Sequence, residues 1–255
     1  MDYGVVIVAA AAVRRKAWHQ SEMTNQLLFG ETVKVIKQKG SLWVKVRSLH
    51  DTYEGWMTNT LLQETNEDGA KLSAEYITTG FLSTIRTNEM NIQVPIGSSL
   101  PGFREGKGVI NGSIYQLEGE YSKRTDASPE AGLIKQVTGQ WLNVPYLWGG
   151  RTILGIDCSG FVQVCYKMMG IDLPRDAWQQ AQEGEVVRKL GEAECGDLAF
   201  FDDKEEIIHV GILLGDDRII HASGKVSIDN IDKKGIVNSD SGKRTHFLRV
   251  IKRCS

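Results

Sequence analysis

The chain has 255 residues, a formal net charge of −2, and 41% hydrophobic against 24% charged residues. That is the balance of a soluble globular protein with enough apolar material for one large domain or two to three small ones. No run of one sign marks a basic footprint for nucleic acid or a polybasic membrane patch. No apolar stretch reaches the ~20 residues of a membrane span, so neither nucleic acid nor membrane insertion is expected.

The apolar start, Val5 to Val13, follows Asp2 rather than basic residues, which argues against a secretory leader within these residues. Residues 1–64 then read as short strands: Val5–Val8, Thr32–Ile36 with clean alternation, Trp43–Val46 and Gly55–Met57. Turn residues at Gly30, Gly40-Ser41 and His50–Thr52 separate them. Strands this short and close predict a small barrel. In residues 65–125, Ile92–Pro95 and Gly112–Leu117 read as strands, and Gly97, Pro101, Gly102, Gly106 and Gly108 mark a long loop. A second small barrel is the expectation there, followed by a polar linker, Ser122–Pro129.

The pattern changes at Ser128-Pro129-Glu130-Ala131, a helix start with serine at the N-cap and proline at the first helical position. Leu133, Ile134, Val137, Trp141 and Leu142 recur at helical spacing until Pro145–Gly150 breaks it. A second helix is predicted from Cys158 to about Met169, stopped by Gly170. Strands follow at 197–201, 207–214 and 218–223, with a last run at Phe247–Lys252. Helices followed by consecutive strands indicate an α+β domain with an antiparallel sheet over 126–255.

Four cysteines, Cys158, Cys165, Cys195 and Cys254, lie at irregular spacing with no Cys-x-x-Cys pair. Neither a structural zinc site nor a disulfide framework is expected. Cys165 fits a buried apolar role among Phe161, Val162 and Val164. Cys158 does not, since its neighbours are Asp157, Ser159 and Gly160.

A thiol becomes a nucleophile by losing its proton, and a helix N-terminus lowers its pKa. With Asp157 as cap, Cys158 falls on the first turn, where unpaired backbone N–H groups favour thiolate and can bind the oxyanion of acyl transfer. Gly155 and Gly160 would let a substrate backbone approach. The thiol also needs a base. His209, within Ile207-Ile208-His209-Val210-Gly211, is either that base or a half-buried sheet histidine. His221 lies on the apparent return strand beyond Gly215-Asp216-Asp217. A hairpin loop with an odd residue count places His221 opposite Gly211, on the face of His209. A two-residue loop places the two rings on opposite faces.

Several motifs now stand in order: Tyr146-Leu147-Trp148-Gly149-Gly150, Gly155-Ile156-Asp157-Cys158-Ser159-Gly160-Phe161, Leu173-Pro174-Arg175-Asp176 with Gln180, Gly196-Asp197-Leu198, His209-Val210-Gly211-Ile212 and Ile220-His221-Ala222-Ser223-Gly224. Together they resemble the NlpC-type family of papain-like bacterial cell-wall peptidases over roughly residues 128–252. The resemblance implies Cys158 as nucleophile, His209 as base, His221 as the orienting third residue and the Tyr146 hydroxyl in the oxyanion site. It implies thiol chemistry with no cofactor or metal, acting on amide bonds of peptidoglycan-derived peptides.

The first segment resembles bacterial SH3-like domains through Leu27–Glu31, Trp43–Val46 and Tyr53–Trp56. Two all-β SH3-like barrels before a papain-like catalytic domain resemble the γ-D-glutamyl-L-diamino-acid endopeptidases (dipeptidyl-peptidase VI). In that subgroup the first barrel selects a free N-terminal L-alanine. The resemblance nominates Glu22 and Tyr53, with Asp157 and Ser159, as acceptors for its ammonium.

Two departures stand out: Ala177 replaces the family's serine or threonine, and Cys195 replaces its proline. A wall-binding protein with an inert catalytic domain is the competing expectation, and metal binding by Cys158, His209 and His221 a remote third. A monomer is expected, cytoplasmic as the sequence stands and periplasmic if a leader has been removed. Whether lysine or diaminopimelate follows the glutamate stays open.

Overall fold

The computed structural model describes residues 1–71, 74–124, 129–203 and 206–254. The chain divides into two compact units, Met1–Asp126 with Trp148–Ile153, and Ala127–Leu147 with Leu154–Ser255.

In the first unit a seven-stranded antiparallel sheet runs in the order Met23–Leu28, Ala10–Arg14, Glu54–Thr58, Trp43–Ser48, Thr32–Lys39, Tyr3–Val6, Leu62–Thr65. Each of the four expected strands has a counterpart, although the first, expected at Val5–Val8, spans Tyr3–Val6. Ala10–Arg14 and Met23–Leu28 were not foreseen, because alanine and polar residues are poor strand formers. Pairing overrides that preference: Ala11 lies opposite Leu27, and both join Val13, Val33, Val46 and Met57 in one apolar core.

Residues 65–125 build a four-stranded sheet, Asn91–Pro95, Leu82–Arg86, Ser113–Glu118, Lys107–Ile110, and a three-stranded one, Ser99–Leu100, Tyr76–Thr78, Tyr121–Lys123. The stretch expected as a long loop therefore contains two strands. Gly108 lies inside one of them because the Tyr115 ring covers it; a Cβ there would sit 2.1 Å from Tyr115 Cζ. Ile85, Val94, Leu100 and Tyr115 pack in one cluster with Val5 and Phe29. This core crosses the boundary expected at residue 64, so the two segments are not separated by packing.

The segment Trp148–Ile153 belongs to the same unit, where the sequence placed it in the catalytic domain. Its anchor is Arg151. The Arg151 backbone N–H donates to Gln26 Oε1 at 2.9 Å, and the guanidinium donates to Gln26 O and to both Glu31 oxygens at 2.8 and 3.0 Å. Glu31 also accepts the Leu28 N–H, and the two side chains are only 0% and 1% exposed.

The expected linker includes Thr125–Ser128, and Ser128 was the expected helix cap; both lie outside the described residues. The helix itself spans Ala131–Gly139, with Glu130 at the N-cap making no side-chain cap bond. In the second unit the helix Cys158–Met168 is buried along its whole length and ends ahead of Gly170, at φ 81°. It packs on the strands Glu206–Gly215 and Arg218–Ser223.

Those strands belong to an antiparallel sheet ordered Glu185–Val187, Arg244–Arg253, Leu198–Asp203, Glu206–Gly215, Arg218–Ser223, Lys225–Asp232, Gly235–Val237. Gly235–Val237 pairs back onto Arg244–Arg253, so the last six strands close into a barrel. Phe201, Leu213, Ile219, Ile231, Ile236 and Ile251 form its apolar core. No helix among the described residues is long and apolar enough to cross a membrane.

Candidate active site

Cys158 opens its helix as expected. Asp157 holds the N-cap in an extended conformation, and its side chain accepts the Gly160 N–H. The Val210 and Ser159 backbone N–H groups bond the sulfur and favour thiolate. They do not decide the balance. Burial first, then the adjacent Asp157 carboxylate, push the Cys158 thiol up to about 12. A depressed pKa was expected from the helix terminus; loss of water outweighs the dipole here. The resting nucleophile is a neutral thiol that needs a base at the moment of attack.

The imidazoles are set by strand register. Gly211 pairs with His221, and His221 pairs with Ser227. Side chains two residues apart share a face. His209 and His221 are therefore diagonal neighbours, and so are His221 and Asp229. Nε2 of His209 lies 2.8 Å from Nδ1 of His221, and Nε2 of His221 lies 3.1 Å from Oδ2 of Asp229. Gly211 makes room for this line, since a Cβ there would stand 2.9 Å from the His221 Cβ. All three members are buried. Burial, then the neighbouring His221 and His246, hold His209 well below its ordinary value, so the ring is neutral.

The hairpin combines both loop geometries. Asp216 and Asp217 form a two-residue turn with φ 51° and 54°, and Gly215 pairs with Arg218. A bulge between Leu213 and Gly215 then restores the odd count, so His221 still faces Gly211.

His246 was not singled out in the sequence. It lies on the last strand, and its ring stacks on His209 at 4.1 Å between centroids and 20° between planes. Asp229 was missed too, hidden among Ser227, Asn230 and Asp232 as one more polar strand residue. The two histidines point their nitrogens at each other, which leaves them no shared metal position. Among the described residues no group of three His, Cys, Asp or Glu could hold a metal ion.

Tyr146 lies near enough to Cys158 for the two to interact electrostatically. Burial, then Cys158 and Asp157, push its phenol well above the ordinary range, so it remains a hydrogen-bond donor. Asp157 and Ser159 are engaged by Arg175, which is 1% exposed. Its guanidinium donates to Asp157 Oδ1 at 2.9 Å and Oδ2 at 2.5 Å, and to Ser159 Oγ at 2.9 Å. Gln180 donates to the carbonyls of Ser159 and Pro174, which ties this loop to the nucleophile helix. The sequence marks Arg175 only as part of a motif; its cation is what Asp157 and Ser159 meet first. Ala177, the departure from the family's serine or threonine, is buried and starts a short helix, Ala177–Gln180.

Glu22 and Tyr53 lie in the first unit. Glu22 Oε1 accepts the Trp148 indole N–H at 3.0 Å, and its Oε2 pairs with Arg15 at 3.1 Å. Tyr53 packs against the barrel core.

Known proteins resemble both parts of the chain. The NlpC/P60 family profile matches residues 143–244, and the bacterial dipeptidyl-peptidase Sh3 domain matches residues 13–62. The gamma-D-glutamyl-L-lysine dipeptidyl-peptidase of Bacillus subtilis is 32% identical over 213 residues, 77% of this chain and 71% of the relative. The chain belongs to the NlpC/P60 family. Its namesake from Bacillus cereus is 27% identical over 265 residues, 91% of this chain and 78% of that one. A crystal structure of an NlpC/P60 family protein from Bacillus cereus shares the fold, with a TM-score of 0.81 at 22% identity over 98% of this chain and 99% of that one. The protein is accordingly a cysteine peptidase of the NlpC/P60 peptidoglycan endopeptidase family, acting on peptidoglycan-derived substrates.

Proposed function

We propose that the protein hydrolyses the amide bond between D-γ-glutamate and the following diamino acid, in peptidoglycan-derived peptides that carry a free N-terminal L-alanine. The observation that carries this reading is the line His209–His221–Asp229 on the strands beneath the Cys158 helix. The dipeptidyl-peptidase Sh3 domain supports the choice of substrate, and so do the names of the two Bacillus relatives.

The chemistry begins from a neutral pair. Nε2 of His209 is held by His221, so Nδ1 is the nitrogen available to the thiol. The sulfur attacks the γ-carbonyl carbon as its proton passes to His209. The backbone N–H of Cys158 and the Tyr146 hydroxyl donate to the oxyanion. The C–N bond breaks as His209 gives its proton to the leaving amine, which departs with the diamino acid. Water then attacks the thioester, losing a proton to His209; the C–S bond breaks, and the sulfur recovers that proton. The alanyl-glutamate dipeptide leaves.

Selection of the free amine falls to Glu22 and Tyr53 of the first unit. Glu22 suits the task because Trp148 and Arg15 hold its carboxylate in one orientation. A hydrogen bond to a charged group contributes about 1.5–3 kcal/mol. N-acetylation of the alanine, or Glu22→Gln with the free amine, is therefore expected to lower kcat/KM by about 10- to 100-fold.

Mass spectrometry of products from L-Ala-γ-D-Glu-L-Lys, its diaminopimelate analogue and the N-acetylated forms tests both parts. Release of the dipeptide by the wild type and none by Cys158→Ala is the expected result. Undiminished cleavage by Cys158→Ala would overturn the mechanism. Equal cleavage of free and acetylated peptides would remove the amine selection.

A further inference from the structure

We propose that Asp229 is a positioning residue which, acting through His221, dictates the nitrogen of His209 that carries the proton. The inference rests on the reading of Cys158 as nucleophile and His209 as its base.

The argument runs along the hydrogen bonds. Asp229 Oδ1 accepts the Ser239 backbone N–H at 2.8 Å, and Oδ2 faces Nε2 of His221 at 3.1 Å. Asn238 Nδ2 donates to both oxygens at 3.3 and 3.4 Å. An ionised carboxylate only accepts, so the His221 Nε2 must carry hydrogen. The bond to His221 in turn holds the Asp229 carboxyl well below its ordinary range, which keeps it ionised.

A neutral imidazole has one N–H, so the Nδ1 of His221 is bare. It lies 2.8 Å from Nε2 of His209, which must therefore be the donor. By the same count the Nδ1 of His209 is bare and basic. Residues 209, 221 and 229 are 5%, 1% and 4% exposed, so the protein itself must satisfy this order. The order also survives catalysis. When His209 takes the thiol proton on Nδ1, its Nε2–H still donates to His221 and nothing has to turn.

Asp229→Asn separates this role from a packing role. The Ser239 backbone N–H is a donor that cannot change, so it claims the amide oxygen. The amide nitrogen is then left facing His221. A donor there forces the His221 Nε2 to accept and its Nδ1 to carry hydrogen. His209 must then accept at Nε2 and carry its proton on Nδ1, toward the thiol. A base so protonated cannot take a second proton without two N–H groups meeting between the rings.

The test is 15N NMR of histidine-labelled protein near neutral pH together with steady-state kinetics. The wild type is expected to hold both rings as the Nε2–H tautomer. Asp229→Asn is expected to convert both to Nδ1–H and to lower kcat by at least about 10³-fold at near-constant KM. The serine-protease counterpart of this exchange costs about 10⁴-fold. Asp229→Glu, which keeps an acceptor, is expected to retain the wild-type tautomers and to recover part of the activity.

A wild-type His209 protonated on Nδ1 overturns the proposal, and so does Asp229→Asn with unchanged tautomers or unchanged kcat. If that variant does not fold, the wild-type spectrum alone decides. The same spectra in the Cys158→Ala background keep this result apart from the peptidase reading, because tautomers are read there without turnover.

Discussion

Leu214, left unpaired, keeps Gly211 opposite His221. It is the extra residue between the pairs Leu213–Ile219 and Gly215–Arg218. Were it to pair with Ile219, the ladder running on from the Asp216-Asp217 turn would set His221 against Ile212, and its ring would project from the face opposite His209.

Deleting Leu214 makes the ladder regular with Gly215–Arg218, Leu213–Ile219 and Gly211–His221 still paired, so the 2.8 Å contact between the rings is expected to survive. We expect the variant to keep more than about a tenth of wild-type kcat/KM on the tripeptide, whereas a slip that put the two rings on opposite faces would cost about 10³-fold or more, the scale of losing an orienting residue in a triad. Far-ultraviolet circular dichroism should stay close to the wild type. A deletion variant with less than about a hundredth of wild-type activity would contradict the register argument.

Arg175 neutralises Asp157 at a position where both are buried. Removing one partner of a buried pair strands the other charge, at a cost of about 3–5 kcal/mol. Arg175→Met is expected to destabilise the fold by that order in urea titration. Adding Asp157→Asn should recover part of the loss, because asparagine caps a helix about as well as aspartate and leaves no buried charge. A double variant no more stable than the single one would count against the pairing as the source of the effect.

Acid stability follows from the imidazole cluster. Burial holds His209 well below 6.5 and His246 at about 4, and the His221 bond holds Asp229 below 3.8. Each folded value lies under its unfolded one, so the unfolded chain binds more protons as pH falls. Stability from these groups is complete above about 6.5. It declines as pH drops from there, with a further fall below about 3.8, where Asp229 protonates in the unfolded chain while it stays ionised in the fold. Burial raises the Cys158 pKa from 9.0 to about 12, so stability also declines above about pH 9. Melting temperatures from pH 4 to 10 test both edges. His246→Phe should flatten the acid side between about pH 4 and 6.5 by up to one proton. An unchanged acid slope in that variant would show that His246 does not titrate in this window.

The nucleophile helix was legible because its signals are local: a capping aspartate, an apolar stripe and a terminal glycine lie within fourteen residues, from Asp157 to Gly170. The pairing of His221 with Gly211 was legible only as one of two alternatives, since no local signal marks Leu214 as a bulge. Asp229 and His246 were not legible at all. Each sits in a polar, alternating strand, and each gains its role from strands that are distant in sequence. The Ala10–Arg14 strand failed for the opposite reason, because its own residues disfavour the conformation that its neighbours impose. Arg151 stands inside a run of family motifs, and nothing in that run marks Glu31, 120 positions earlier, as its partner.

The strand Arg244–Arg253 borders three others, Glu185–Val187, Leu198–Asp203 and Gly235–Val237. Without it the barrel stands open along two strands, Leu198–Asp203 and Gly235–Val237. Contacts between residues so widely spaced along the chain favour slow folding. A chain that lost this strand would expose two unpaired edges, each a template for pairing with another molecule.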